Sequence, residues 1–206
     1  MGTLFPTAYL PPITYIAECL RSEEIVIEIF ETYKKQTIRN HCNIYGPNGR
    51  QKLSIPVIKV NGNHTLTKDI RILYSQNWQS IHWRSIETAY NNSPFFLYYR
   101  DYFEPFYLKK FDFLIDFNTK LLEVIFIILR IEKEISFTDH FENRLNDHHD
   151  FILAQYNQVF SPKSGFLSNL SIIDLIFNMG PDANEYMVSS FLPQIDTDLH
   201  RLGTDY

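Results

Sequence analysis

Apolar residues in this chain first follow the short period of strands and later the longer period of helices. Residues 3–10 read as a short aromatic strand ending at Pro11-Pro12. Ile13, Ile16, Ala17 and Leu20 then recur at helical spacing, and residues 24–29 form a second apolar strand. A proline in the first turn of that helix costs no hydrogen bond, because the N–H it lacks has no helical partner there. Strand, helix and strand make a βαβ unit, whose two strands run parallel. The loop after the first strand is where such folds place ligands, which brings Tyr9 forward.

Residues 32–40 fit either a helix or an irregular segment. Residues 43–45 and 51–59 flank Gly46-Pro47-Asn48-Gly49, whose Asn-Gly supplies left-handed residues for a hairpin turn. Asn61-Gly62-Asn63 marks a further turn, and residues 69–73 alternate as a strand. From Asn77 the period becomes helical, with Trp78, Ile81, His82, Ser85, Ile86 and Ala89 on one face and a stop at Ser93-Pro94. Residues 95–107 form a second, very aromatic helix. Residues 111–131 form a third, apolar on nearly every side and therefore central. Helices over 77–131 are expected to cover the sheet, and residues 135–137 add one more parallel strand. The polar run over 142–150 reads as a loop. Ser171 with Asp174 resembles a capping box opening a helix that Gly180-Pro181 stops. The expected fold is a single α/β domain over 1–206, with a mostly parallel Rossmann-like sheet, an appended hairpin and flanking helices.

Composition narrows the function classes. A hydrophobic share of 45% excludes a disordered chain. A net charge of −5 argues against a nucleic-acid partner, because such binding rests on phosphate neutralisation by Lys and Arg. Cys19 and Cys42 form no CxxC pattern, so a thiol-reduced, cytoplasmic protein is expected. The first residues lack the charged and apolar regions of a signal peptide. The most apolar run, 121–129, is far short of the roughly 20 residues that span a membrane.

Chemistry concentrates at residues 33–41, where Tyr33, Lys34, Lys35, Gln36, Arg39, Asn40 and His41 gather donors and cations. Lys35, Arg39 and Asn40 suit a phosphate or carboxylate, with Arg39 offering a planar two-donor fork. The same spacing also suits a solvated helix face. His82 lies on the apolar face of its helix, so it is either a satisfied core histidine or a general base opening onto a cavity. His148-His149 beside Asp147 and Asp150 does not amount to a metal site, because adjacent side chains point apart. No nucleophile elbow, phosphate-binding glycine loop or zinc-binding helix motif occurs, and nothing names a cofactor.

Four stretches together resemble the WbqC-like protein family, in the short form common in Bacteroidetes-type members. They are TAYLPPITYIA, YKKQTIRNHCNIYGPNGRQKLSIPV, DIRILYSQNWQSIHWRSIETAYNNSPFF and YNQVFSPKSGFLSNLSIIDLIFNMGP, in order along nearly the whole chain. The resemblance implies a bacterial protein of O-antigen or surface-polysaccharide biosynthesis, with glycine transfer among the activities proposed for the family. It maps recurring polar positions to Tyr33, Lys35, Gln36, Arg39, Asn40, Trp78, His82, Asn169, Ser171 and Asp174. Phe5-Pro6-Thr7-Ala8 stands where many members have His-Gln-Pro, and His41 where many have arginine. The chain also lacks a longer strand–helix insertion before its final third.

Two functions follow. One is a transferase moving a small acyl or aminoacyl group, such as glycyl, onto a nucleotide-linked or lipid-linked sugar. In it Tyr9, Tyr33, Lys35, Gln36, Arg39, Asn40 and Asn169 bind a small anionic or nucleotide-linked substrate, and His82 acts as base. The other is a non-enzymatic sugar- or protein-binding partner in the same pathway. Convergence of these residues on one cleft favours the enzyme, and scatter favours the partner.

Overall fold

The computed structural model describes residues 3–143 and 153–191. It is a mixed α/β structure, and the βαβ opening is present. Strand β1 (Thr3–Pro6) pairs in parallel with β2 (Ile25–Glu28), with Thr3 opposite Ile25 and Pro6 opposite Glu28. Helix α1 (Ile13–Arg21) connects them. Strand β7 (Ile135–Phe137) adds in parallel to the other edge of β2, giving the order β1-β2-β7. Among the described residues parallel pairing stops at these three strands, a smaller sheet than the Rossmann-like one expected. The other strands form two antiparallel pairs.

The first pair is the expected hairpin, β3 (His41–Gly46) with β4 (Gly49–Ser54). Its turn differs in one respect from the sequence reading. Asn48 keeps a negative φ, and only Gly49 takes a positive one, at 101°. Ile55-Pro56 then breaks the strand expected over 51–59, because proline supplies no ladder donor. A separate short strand β5 (Val57–Ile58) pairs with β6 (Arg71–Ile72). The strand expected over 69–73 is that short because residues 67–69 wind into a 3₁₀ turn.

β1 also stops earlier than expected. Beyond Pro6 the chain leaves the sheet, and the Tyr9 N–H bonds to the Ile38 carbonyl at 2.8 Å. This loop tolerates a left-handed Leu10, at φ 40°, with the side chain fully buried.

Three long helices follow: α2 (Trp78–Tyr90), α3 (Phe96–Leu108) and α4 (Leu114–Leu129). α2 lies on β3, α3 packs against α2 and α4, and α4 reaches the turn at residues 67–69. Asn118 on α4 donates to Thr7 Oγ1 and to the Arg39 carbonyl, so these helices meet the chain beyond β1 and at the hairpin. The buried face of α2 is Trp78, His82, Trp83, Ile86, Ala89 and Tyr90. Ile81, expected inside, is 60% exposed, and Trp83 and Tyr90 fill the core instead.

A short helix α5 (Ser161–Ser164) precedes α6 (Ile172–Met179) and α7 (Asp182–Phe191). The expected capping box at α6 does not form. Ser171 makes no side-chain cap bond, its N–H goes to the Asn43 carbonyl, and the Asp174 carboxylate turns inward to Tyr156 and Gln158. Gly180 ends α6 as expected, at φ 57°, where a Cβ would stand 2.5 Å from the Phe95 ring. No helix among the described residues is long and apolar enough to cross a membrane.

Candidate functional site

The chain beyond β2 and beyond β7 encloses a pocket of about 350 Å³. Its walls are Glu28, Phe30, Glu31, Thr32 and Lys34, facing Phe141, Glu142 and Asn143. Glu28 is the last residue of β2, so the strand itself delivers the carboxylate to the pocket floor. Three neutral donors hold it there: the Phe30 N–H at 2.6 Å and Thr138 hydroxyl at 3.2 Å on Oε1, and the Glu142 N–H at 2.8 Å on Oε2. Glu28 is 1% exposed, and among the described residues no cationic side chain reaches it at ion-pair distance.

Glu31, one wall further, is also buried but has a counter-charge. Arg39 donates from Nε at 2.6 Å and places Nη2 at 2.5 Å from the same Glu31 oxygen, while Nη1 donates to Thr37 Oγ1 at 3.1 Å. The guanidinium fork is therefore committed within the protein. Lys34 stands exposed at the rim, and Lys68 Nζ lies 3.9 Å above the Phe30 ring.

A second polar arrangement lies inside the core. Tyr9, fully buried, has its hydroxyl 2.9 Å from His82 Nδ1 and 2.8 Å from the Tyr107 hydroxyl. The imidazole also meets the Ser54 backbone. If the Ser54 carbonyl takes a proton from Nε2, then Nδ1 accepts from Tyr9 and Tyr9 accepts from Tyr107. Burial lowers the His82 pKa to about 4, with the Ser54 backbone opposing the shift, so the ring is neutral near pH 7. Burial pushes the Tyr9 phenol well up. Trp78 and Phe117 close this chain of hydroxyls, at ring centroids 5.1 Å from His82 and 5.9 Å from Tyr9.

The eight positions predicted from sequence do not converge on one cleft. Tyr9 and His82 meet in the core. Arg39 joins the pocket through Glu31, and Tyr33 is buried with its hydroxyl unpartnered and its N–H on the Thr65 carbonyl. Lys35 and Gln36 are exposed in the turn that follows, Gln36 at φ 55°. Asn40 donates to the Ile55 carbonyl at 3.0 Å and extends the hairpin. Asn169 lies at the start of α1, where its Oδ1 accepts from the Thr14 N–H at 3.2 Å and hydroxyl at 3.1 Å. His148 and His149 lie outside the described residues. Of the pocket walls, sequence reasoning singled out Lys34 and missed the others. A signal was present for Glu28, a lone carboxylate ending an apolar strand of a βαβ unit, but none for Phe141 and Asn143.

The model of the WbqC-like protein family matches residues 7–155. The chain belongs to the WbqC-like protein family. The matched span of this WbqC-like protein takes in the loop beyond β1, the hairpin, α2 to α4 and every pocket wall, while Asn169, Ser171 and Asp174 lie beyond it. No curated protein and no solved structure matches this member of the family.

Proposed function

We propose that this WbqC-like protein acts in the assembly of O-antigen or another surface polysaccharide, in the bacterial cytoplasm, and holds one sugar residue of the precursor in the pocket beyond β2 and β7. The observation that carries this reading is the pocket lining. Phe30 and Phe141 offer ring faces for the C–H face of a sugar, beside the carboxylates, hydroxyl and amide of Glu28, Glu142, Thr32 and Asn143 that serve sugar hydroxyls. The volume of about 350 Å³ sits at the small end of the range for ligand pockets, roughly 300–1,000 Å³. Its place at the carboxyl ends of the strands is the one a Rossmann-like sheet uses. Lys34 at the rim and Lys35 beside it are free to meet the phosphates of a nucleotide-linked sugar, the anionic part of the substrate. In this reading the single WbqC-like domain is a sugar-binding partner in the pathway.

A calorimetric titration with UDP-sugars tests it. Binding that Phe141→Ala weakens by about tenfold is the expected result, and absence of heat with every UDP-sugar sinks the reading.

The Tyr9–His82 hydrogen bond favours a second reading, transfer of an acyl or aminoacyl group such as glycyl to the sugar. A neutral imidazole accepting a hydroxyl proton is the arrangement that activates an oxygen nucleophile, once substrate reaches it. Mass spectrometry of a sugar acceptor incubated with activated glycine decides between the two. Glycylated acceptor with wild type, and none with folded His82→Gln, establishes the transferase.

A further inference from the structure

We infer that the pocket beyond β2 and β7 selects a small ligand carrying a primary ammonium group, with Glu28 as its counter-charge. This deepens the pocket reading above and rests on it. A carboxylate offers about four acceptor sites, and three of those on Glu28 are taken by neutral donors, two on Oε1 and one on Oε2. Among the described residues one site on Oε2 remains, on a carboxylate that lines the cavity and is 1% exposed. Among the described residues its donors are all neutral: they stabilise the carboxylate without cancelling its charge, and an opposite charge adds to that stabilisation. Glu31 shows the contrast a few residues on, since Arg39 neutralises it.

The other charges facing the cavity agree with this assignment. With Glu31 matched by Arg39, the carboxylates of Glu28 and Glu142 stand against Lys34 alone among the lining residues. Glu142 is half-buried, and its side chain has no hydrogen bond or ion pair with a described residue. Lys34 is exposed at the rim, and Lys68 lies over the Phe30 ring. A ligand therefore places its ammonium inward and any anionic group outward. Amino sugars and amino-acid derivatives share this chemistry.

Ligand-observed NMR and calorimetry on the full chain at neutral pH test this, with glucosamine, N-acetylglucosamine, glucose, glycinamide and acetamide as probes. Glucosamine is expected to bind at least about tenfold tighter than glucose and N-acetylglucosamine. Glycinamide bound as tightly as glucosamine, with acetamide silent, keeps the ammonium selectivity and makes the ligand an amino-acid derivative. Equal affinity for glucosamine and glucose overturns the ammonium inference and leaves the sugar pocket standing. No binding by any probe overturns the ammonium inference, and the UDP-sugar titration then decides the sugar reading separately. Glu28→Gln is expected to erase the preference for glucosamine. Because Glu28 also ties Thr138 and Glu142 to β2, Glu142→Gln serves as a second variant. It keeps the backbone donor to Glu28 and is expected to weaken glucosamine binding about threefold with an unchanged circular dichroism spectrum. An undiminished preference in both variants rejects the assignment.

Discussion

Tyr9 and His82, 73 residues apart, share a hydrogen bond of 2.9 Å in the core, where the Tyr9 hydroxyl also reaches Tyr107. That bond fastens the loop beyond β1 to the first turns of α2, and it saturates a histidine that burial would otherwise leave costly. Tyr9→Phe is expected to lower stability by about 1–3 kcal/mol, since it leaves the buried His82 Nδ1 without its hydrogen-bond partner. Tyr107→Phe is expected to cost less, because Tyr9 retains His82. Urea unfolding of both single variants and the double variant checks this, and strict additivity would contradict a shared chain.

His82 also makes stability depend on pH. Its folded pKa of about 4 lies below the ordinary value of 6.5, so the unfolded chain takes up the proton first. Stability from this group is full above the unfolded pKa and is lost as pH falls from about 6.5 to about 4, by about 3 kcal/mol at most. Urea midpoints across that window should fall less steeply for His82→Gln than for the wild type. Glucosamine affinity of the pocket should be the same in both at pH 7. An equal slope for the two proteins would show that His82 does not carry this dependence.

The Arg39–Glu31 pair is buried on both sides, so removing one partner strands a charge. Arg39→Met is expected to cost about 3–5 kcal/mol. Glu31→Gln combined with Arg39→Met is expected to recover most of that loss, because no charge then remains buried. Arg39→Lys falls between, since a single ammonium cannot serve Glu31 and Thr37 together. A wild-type melting temperature for Arg39→Met would mean the pair contributes nothing.

Asn169 combines a left-handed backbone, at φ 50°, with the cap on the first turn of α1. Asn169→Gly keeps the backbone comfortable and loses the bond, and Asn169→Ala loses both. Expected costs are about 1 kcal/mol for Gly and about 2 kcal/mol for Ala, relative to wild type. Thermal unfolding of the two variants side by side tests the order, and Ala above Gly would refute it.

Local pattern alone determined the order and kind of most elements. The βαβ opening, the hairpin at residues 41–54, the three helices between residues 78 and 129 and the strand at 135–137 all follow from hydrophobic period and from proline and glycine punctuation. Those signals act between neighbours along the chain, which is why they can be read without tertiary structure. Side-chain partners could not be read in that way. Arg39 looked like a free anion fork until folding set Glu31 against it, and Ser171 with Asp174 looked like a cap until Tyr156 and Gln158 claimed the carboxylate. Asn169 caps a helix 155 residues earlier in the chain, and Glu28 meets Thr138 and Glu142 across more than 100 residues. The pocket itself arises where β2 and β7 come side by side. Such partnerships depend on which distant segments the core packs together, and only the tertiary structure decided them.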